Sequence, residues 1–322
     1  MSNIGVIGAG AFGTALASVL ASGGHNVTLW GRDCAAMAQI RSTRQTPYLP
    51  GITLPDTLQT TANLSDLGGS DAVLMVVPAQ VTRMVLKSSG FARITCPILM
   101  CAKGIELGTA RSQTDILHDE QPHHTGGVIS GPGFAAEIAS GKPTALTLAV
   151  ADPSSGQDLQ VMLSTTTLRM YLSDDVKGVQ LGGALKNVYA IACGIVRGAG
   201  LGESAQAALL TRGFAELKSL AAKMGAKPET LSGLSCFGDL VLSCTSLQSR
   251  NFAFGHQVGI SADFAQTKTV EGIATALAVG ALADQYKVEM PICAAVSAVL
   301  QKQLSVEAAL KQLMSRPLKR EV

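Results

Sequence analysis

The fold is decided by the stretch Ile4-Gly5-Val6-Ile7-Gly8-Ala9-Gly10-Ala11-Phe12-Gly13, an apolar run that passes into three spaced glycines. It predicts a buried strand that ends at Gly8 and a helix that begins within the glycine turn. Here Gly8 permits a tight turn, Gly10 lets the backbone approach a pyrophosphate, and Gly13 lets the helix pack closely against the strand. The phosphates would lie on free helix N-terminal amides, where the helix dipole stabilises an anion by about 0.3 to 1 kcal/mol. A purely structural glycine turn is the alternative, but the strand-turn-helix context favours dinucleotide binding.

The second predicted strand ends at Trp30-Gly31-Arg32, where a dinucleotide site discriminates between two cofactors. NAD-specific sites carry an Asp or Glu about 20 residues after the glycine turn, which binds the ribose 2'-hydroxyl. Arg32 suits a 2'-phosphate instead and favours NADP, whereas Asp33 beside it keeps NAD open. An ordinary solvated side chain is the alternative for Arg32. We therefore expect NADP(H), with NAD(H) as the second choice.

Apolar runs alternate with helical stretches through the first half of the chain. The predicted strands are residues 4–7, 27–30, 72–77, 98–102, 128–130 and 145–149. Continuous apolar runs of this kind are typical of strands buried on both faces, and their alternation with helices predicts a parallel, doubly wound sheet. After this part the pattern becomes long, Ala-rich and helix-periodic, and the predicted helices are residues 181–196, 204–224, 270–286 and 291–304.

These patterns predict an α/β protein with two domains. A Rossmann-type doubly wound sheet over residues 1–178 would bind the dinucleotide, and an all-helical C-terminal domain over residues 179–322 would carry the substrate and catalytic groups. A cleft between two domains is a common place for a small-molecule site. We expect the site there.

The composition is that of a compact protein. Of the 322 residues, 47% are hydrophobic and 15% are charged, which excludes a disordered chain. A net charge of +2 is too small for a nucleic-acid or anionic-membrane footprint, so no nucleic-acid partner is expected. A homodimer is left open, because apolar surface is available for a subunit interface.

The cysteines, the histidines and the first residues of the chain predict a soluble, cytoplasmic protein without a metal. The seven cysteines are odd in number and contain no C-x-x-C pair, and His123 and His124 are adjacent rather than four apart. A disulfide framework and a metal site are therefore both unexpected. Residues 2–25 lack charged side chains, but they also lack the basic segment of a signal peptide and contain too many glycines for a membrane span.

Several short segments together resemble the bacterial NAD(P)-dependent glycerol-3-phosphate dehydrogenases over nearly the whole chain. In chain order they are residues 8–17, Trp30-Gly31-Arg32, Val76-Val77-Pro78, Lys103-Gly104-Ile105-Glu106, Ser130-Gly131-Pro132-Gly133-Phe134-Ala135, Leu185-Lys186-Asn187-Val188, Gly238-Asp239-Leu240, Ser249-Arg250-Asn251 and Val270-Glu271-Gly272. The ordered set is far more specific than any one of its members.

The resemblance implies reduction of dihydroxyacetone phosphate by NAD(P)H to sn-glycerol 3-phosphate, for glycerophospholipid synthesis, and it assigns residues to both ligands. Those expected to contact the cofactor are Gly8, Gly10, Ala11, Phe12, Gly13, Trp30, Arg32, Pro78, Lys103, Ala135, Arg250 and Glu271. Those expected to contact the substrate are Lys103, Gly131, Gly133, Lys186, Asn187, Asp239, Ser249, Arg250 and Asn251. The assignment of Glu271 rests on the resemblance alone.

The chemistry of ketone reduction gives an independent reason for Lys186, Lys103 and Asp239 as the catalytic residues. Hydride transfer leaves an alkoxide, which needs a proton donor and a neighbouring cation. Lys186 fits both roles, Lys103 would lower its pKa, and Asp239 would orient the ammonium. The structural alternatives are a snorkelling helix lysine for Lys186, a surface lysine for Lys103 and a helix N-cap for Asp239.

The substrate phosphate needs hydrogen-bond donors, and Ser249-Arg250-Asn251 offers a hydroxyl, a guanidinium and an amide in succession. A helix start with a solvated arginine is the alternative for this segment. Gly131 and Gly133 would let backbone amides approach the substrate.

Five positions depart from the family pattern and are expected to alter affinity or regulation. Gly133 replaces Ser or Thr, Ser204 replaces Asn, Gln206 replaces Arg, Ser243 replaces Thr, and Phe252 stands where a basic residue is common. None of them removes the proposed hydride and proton machinery.

Two other functions stay open at the level of sequence. A related two-domain hydroxyacid or ketopantoate-type reductase would act on a carboxylate and would not need both Lys103-Gly104-Ile105-Glu106 and Ser249-Arg250-Asn251. A non-catalytic dinucleotide sensor would have no need of the proton donor Lys186.

Overall fold

The computed structural model describes residues 1–261, 264, 270–318 and 320. Its first half contains one sheet with strand order β3-β2-β1-β4-β5-β6-β7-β8, in which β1 to β6 pair in parallel. The strands are β1 (Asn3–Ile7), β2 (Asn26–Trp30), β3 (Gln59–Thr61), β4 (Ala72–Met75), β5 (Ile98–Met100), β6 (Gly126–Ser130), β7 (Thr144–Val150) and β8 (Leu168–Ser173). The predicted Rossmann-type sheet is thereby confirmed.

The prediction of an all-parallel sheet is wrong at one place, because β6 and β7 pair antiparallel. The segment between them carries only a five-residue helix, and the chain re-enters the sheet at the end where β6 left it. Apolar runs do not encode strand direction, so this reversal had no sequence signal. β3 and β8 were not predicted, since β3 has three residues and β8 alternates buried and exposed side chains at the sheet edge.

Helices flank the sheet and then form the whole second half of the described chain. They are α1 (Ala11–Ser22), α2 (Cys34–Thr43), α3 (Thr82–Leu86), α4 (Gln113–Glu120), α5 (Ala135–Ala139), α6 (Pro153–Leu163), α7 (Val176–Gly198), α8 (Glu203–Lys223), α9 (Pro228–Leu231), α10 (Asp239–Thr245), α11 (Arg250–Ile260), α12 (Glu271–Tyr286), α13 (Pro291–Leu300) and α14 (Val306–Met314). A π-helical turn, Leu234–Gly238, leads directly into α10. The predicted helix over 291–304 ends earlier than expected, at Leu300.

The long helix α7 is the centre of the helical half. It is long and apolar enough to cross a membrane, but 94% of its most apolar window is buried inside the protein, so it is a core helix. Its residues dominate one apolar cluster, while two other clusters lie on the two faces of the sheet. α7 begins at Val176, close to the predicted boundary between residues 178 and 179, which itself stays a prediction.

Candidate active site

The glycine turn has the geometry that phosphate binding requires. Gly8 has φ +121°, and a Cβ there would lie 2.7 Å from the carbonyl oxygen of Val76. A Cβ at Gly13 would lie 2.0 Å from the carbonyl oxygen of Gly8, so helix and strand can approach only without one. At Gly10, by contrast, a Cβ would meet no described atom within 4 Å, and among the described residues no side chain caps α1. The open backbone at the start of α1, which includes Ala11 and Phe12, therefore suits the pyrophosphate of a dinucleotide.

At the end of β2 the two charged side chains have different tasks. The Asp33 carboxylate caps α2, where its Oδ1 accepts hydrogen bonds from the amides of Ala35 (2.9 Å) and Ala36 (3.0 Å). Arg32 is exposed and forms no ion pair with any described residue. The Trp30 indole donates to the carbonyl of Ala62 at 3.0 Å and anchors the strand end. The end of β2 therefore carries Arg32 as an exposed cation beside a carboxylate that caps α2.

Two lysines converge on one buried carboxylate where the sheet meets the helical half. Lys103 Nζ lies 2.6 Å from Asp239 Oδ2 and 2.9 Å from the carbonyl oxygen of Gly131. Lys186 Nζ lies 2.8 Å from Asp239 Oδ1 and 2.6 Å from Ser243 Oγ. Lys186 is 7% exposed and Asp239 2% exposed. The cluster keeps one net positive charge in a largely buried environment, which suits a developing oxyanion.

The electrostatics of this cluster hold Lys186 ready to exchange a proton. Burial lowers the pKa of Lys186, the Asp239 carboxylate opposes that shift, and the nearby Lys103 ammonium adds to it. Burial alone would raise the pKa of Asp239, but the two ammonium groups outweigh it and hold this pKa below its usual value. The carboxylate therefore stays ionised while Lys186 carries a proton that it releases more readily than an exposed lysine does.

Three different elements bring these groups together. Lys103 follows β5 at the carboxyl end of the sheet, where open parallel sheets place their ligands. Lys186 lies in the middle of α7, and Asp239 is the first residue of α10 after the π-helical turn. π-turns within helical segments are often found at functional sites.

The structural alternatives for the catalytic residues do not describe this site. Lys186 is buried rather than snorkelling, and the side chain of Lys103 is only 14% exposed. Asp239 follows the N-cap residue Gly238, and among the described residues its carboxylate binds the two lysines and Ser243 rather than a backbone amide.

Sequence reasoning missed the contact that Ser243 makes with Lys186 and treated Ser243 only as a departure from the family pattern. Its hydroxyl also lies 3.2 Å from Asp239 Oδ1. The available signal was its spacing, because residues four apart share one face of a helix.

The loop after β6 lines one side of the site with its backbone. Gly131 has φ +149°, and its carbonyl oxygen accepts the hydrogen bond from Lys103. At Gly133 a Cβ would lie 3.0 Å from Ile138 Cδ1 and 3.3 Å from Thr144 Cγ2, so the missing hydroxyl-bearing side chain would need a small shift of its neighbours. Ala135 begins α5 behind this loop.

The segment Ser249-Arg250-Asn251 is both a helix start and a set of donors. The Ser249 hydroxyl caps α11 by accepting from the amide of Phe252 at 3.3 Å. Arg250 is exposed and without an ion pair in the described part of the chain. Asn251 Nδ2 donates to Asn187 Oδ1 at 2.8 Å, so the two predicted substrate-binding amides are in contact.

The structure shows which contacts are made by two of the residues that depart from the family pattern. Phe252, which stands where a basic residue is common, is 3% exposed and packs in the helical core. Gln206 donates from Nε2 to the carbonyl oxygen of Cys244 at 2.8 Å and ties α8 to the end of α10. Ser204 is exposed near the start of α8.

On the cofactor side, the strand end after β4 meets the start of α12. The amide of Ala79, next to the exposed Pro78, donates to Glu271 Oε1 at 3.3 Å. Glu271 therefore reaches the strand end that carries Pro78, one of the expected cofactor contacts. Within the ranges that the structure describes, no three His, Cys, Asp or Glu side chains form a metal site.

Comparison with known proteins gives consistent matches along the chain. A family model described as NAD-dependent glycerol-3-phosphate dehydrogenase N-terminus matches residues 3–155, and the model of the C-terminus matches residues 175–311. The glycerol-3-phosphate dehydrogenase (NAD(P)+) of Methylobacterium radiotolerans is 48% identical over 99% of this chain and 98% of its own. The protein of the same name from Roseobacter denitrificans is 49% identical over 99% of this chain and 100% of its own.

Solved structures separate a close likeness from a shared fold. The crystal structure of a glycerol-3-phosphate dehydrogenase from Coxiella burnetii superposes with a TM-score of 0.92 at 36% identity, over 98% of this chain and 99% of that one. A ketopantoate reductase from Ralstonia eutropha superposes with a TM-score of 0.65 at 17% identity, over 97% and 99% of the two chains. The second likeness shows the fold alone.

Proposed function

The chain belongs to the NAD-dependent glycerol-3-phosphate dehydrogenase family, and we propose that Lys186 donates the proton when its substrate ketone is reduced. The enzyme reduces dihydroxyacetone phosphate to sn-glycerol 3-phosphate with NAD(P)H. The observation that carries the proposal is the sharing of one buried carboxylate, that of Asp239, between Lys186 and Lys103.

Each side chain in the cluster has a distinct task. A nicotinamide nucleotide bound at the glycine turn would supply the hydride for the carbonyl carbon. The Lys186 ammonium gives its proton to the resulting alkoxide oxygen, and the Lys103 ammonium stabilises the negative charge on that oxygen. Asp239 holds both ammonium groups in place by one carboxylate oxygen each. In the reverse reaction the neutral amine of Lys186 takes the proton from the alcohol, which its lowered pKa favours.

The phosphate of the substrate is assigned to the start of α11. Arg250 is an exposed guanidinium without a partner in the described residues, and Ser249 and Asn251 lie on either side of it. A helix N-terminus adds its own amides and dipole to the binding of a dianion. Asn187, Gly131 and Gly133 complete the predicted substrate contacts.

We assign the cofactor phosphates to the glycine turn and a preference for NADP to Arg32. The supporting observation is that Asp33, the acidic alternative for the ribose 2'-hydroxyl, uses its carboxylate to cap α2. A free guanidinium beside that cap leaves a cation where the 2'-phosphate would lie. We also place the enzyme in the cytoplasm, where its seven free cysteines would stay reduced.

A substrate comparison tests the proposed function. Oxidation of NADPH and of NADH is followed with dihydroxyacetone phosphate and, in parallel, with ketopantoate. We expect turnover with the phosphorylated ketone alone and a higher kcat/KM with NADPH. Turnover with ketopantoate and none with dihydroxyacetone phosphate would contradict the proposal.

A further inference from the structure

A chain of three hydrogen bonds runs from the start of α12 to the backbone of Lys103. The Gly272 amide donates to Asn251 Oδ1 at 3.0 Å, and Asn251 Nδ2 donates to Asn187 Oδ1 at 2.8 Å. Asn187 Nδ2 then donates to the carbonyl oxygen of Lys103 at 3.0 Å. A backbone donor and a backbone acceptor terminate the chain, so each carboxamide has a single orientation that satisfies it. All donors point toward Lys103, and such aligned hydrogen bonds strengthen one another.

The first turn of α12 also reaches the cofactor side of the site. Glu271, which precedes Gly272, accepts the hydrogen bond from the Ala79 amide beside Pro78. The same region is closely packed, because a Cβ at Gly104 would lie 2.7 Å from Ala79 Cβ and 3.5 Å from Thr275 Oγ1. One helical turn therefore contacts both the strand end that carries Pro78, an expected cofactor contact, and the chain that ends at Lys103.

Only glycine fits at the origin of this chain. A Cβ at Gly272 would lie 2.7 Å from the carbonyl oxygen of Asn187 and 2.8 Å from Asn251 Oδ1. Any side chain would push the helix away from both asparagines and lengthen the hydrogen bond from the Gly272 amide. The close approach of backbone to carboxamide is thus built into the position.

We propose that Gly272 is a positioning residue that couples cofactor binding to substrate binding through Asn251, Asn187 and the backbone of Lys103. The inference rests on the proposed function, and it adds a role for Gly272, which was assigned to neither the cofactor nor the substrate. When α12 is held in place by its contact with the cofactor-binding strand end, the chain of hydrogen bonds is held in place as well. The hydrogen bonds in turn hold the backbone of Lys103, from which its side chain reaches the substrate. Because coupling is reciprocal, each ligand then tightens the binding of the other by the same factor.

The test compares two glycines of the same helix. Gly272→Ala disturbs the chain, whereas Gly280→Ala adds a methyl group that meets no atom within 4 Å in the part of the chain that the structure describes. The Kd of NADPH is measured by nucleotide fluorescence with and without saturating sn-glycerol 3-phosphate, and the ratio of the two values is the coupling factor. We expect Gly272→Ala to reduce this factor at least about fivefold, the lower range of typical coupling. Gly280→Ala should behave as the wild type.

A wild-type coupling factor of one, or full coupling in a folded Gly272→Ala variant, would overturn the inference. If Gly272→Ala does not fold, the cycle of Asn187→Ala, Asn251→Ala and the double variant decides. If Asn187 and Asn251 act through one chain, the double variant has a coupling factor no smaller than that of the single variant with the smaller factor. If the two substitutions reduce the coupling free energy independently and additively, the inference is overturned.

Wild-type turnover of dihydroxyacetone phosphate is measured alongside. Its absence defeats the proposed function, whereas turnover with unaltered coupling in Gly272→Ala defeats this inference only.

Discussion

At the scale of single residues, Asp239 determines how the two lysines can act. Each of its carboxylate oxygens binds one ammonium, so neither lysine can move without breaking an ion pair in a buried site. Breaking a buried pair is costly because it leaves an unpaired charge away from water. The ion pairs thus fix the orientation of the cluster, as electrostatic catalysis requires.

Lys186→Ala tests the assignment of the proton donor. We expect kcat to fall by about 100- to 10,000-fold, the usual contribution of a positioned general acid. The Kd of NADPH should stay nearly the same, because Lys103 still neutralises Asp239 and the glycine turn is untouched. Lys177→Ala, an exposed lysine on the same helix, is the matched control. Loss of NADPH binding together with turnover would mean that Lys186 is structural.

Arg32→Asp tests the assignment of the 2'-phosphate. A hydrogen bond to a charged group contributes about 1.5 to 3 kcal/mol, so the ratio of kcat/KM for NADPH to that for NADH should fall at least about tenfold. Steady-state kinetics with both nucleotides measure the ratio. The control is Arg169→Asp, the same charge change at an exposed position on β8. An unchanged ratio in Arg32→Asp would refute the role of Arg32.

At the scale of elements, four glycines place α11 directly on α7. A Cβ at Gly194 or Gly198 would lie within 2.2 Å of a carbonyl oxygen of α11. A Cβ at Gly255 or Gly259 would come within 2.3 Å of a carbonyl oxygen of α7. The two backbones are in direct contact, and the same packing brings Asn251 at the start of α11 into contact with Asn187 on α7.

Gly255→Ala tests this contact, because its methyl group would lie 2.1 Å from the carbonyl oxygen of Ile191. Rigid backbone cannot relax as a side chain does, so we expect the free energy of unfolding to fall by about 1 to 3 kcal/mol or more. The KM for dihydroxyacetone phosphate should rise as α11 is displaced. Urea denaturation and kinetics measure the two effects, with Gly280→Ala as a control that stabilises by up to about 1 kcal/mol. Unchanged stability in Gly255→Ala would contradict the close packing of α7 and α11.

Elements with strong local signals were predictable from the sequence, and those defined by distant partners were not. The strands β1, β2, β4 and β5 and the helix α8 follow continuous apolar runs or helical periodicity and occur where predicted. The direction of β7 and the presence of β3 depend on neighbouring strands instead. No window of sequence around them contains that information.

The same distinction holds for the site at the scale of the whole molecule. The glycine turn and the resemblance predicted the residue types, and the predicted family and fold are confirmed. The path from Gly272 to Lys103 was not predictable, because it joins residues from four separate parts of the chain. The buried position of Glu216 was not predicted for the same reason, because its hydrogen-bond partners lie far away in sequence, at the start of α13.

Glu216 makes the stability of the whole molecule depend on pH. Its carboxylate is 9% exposed and accepts hydrogen bonds from the amides of Ile292 (2.7 Å) and Cys293 (3.4 Å). Burial raises the pKa of Glu216 to about 7, against the opposing effect of these amides and of the more distant Arg316 and Arg212. The hydroxyl of Tyr189 and the thiol of Cys293 also face this carboxylate.

Unfolding at different pH values tests this dependence. The folded protein holds the Glu216 proton up to a pH of about 7, whereas the unfolded chain releases it near the ordinary glutamate pKa of 4.5. The folded state therefore binds more protons in this window, and its free energy of unfolding falls as the pH rises through it. Glu216→Gln has no such proton, so between pH 5 and pH 8 its stability relative to wild type should rise by about 2 to 3 kcal/mol. Urea denaturation at both pH values measures the difference, with Glu229→Gln as the exposed control. Stability curves that stay parallel for wild type and Glu216→Gln would show that this carboxylate is already ionised in the folded protein at pH 5.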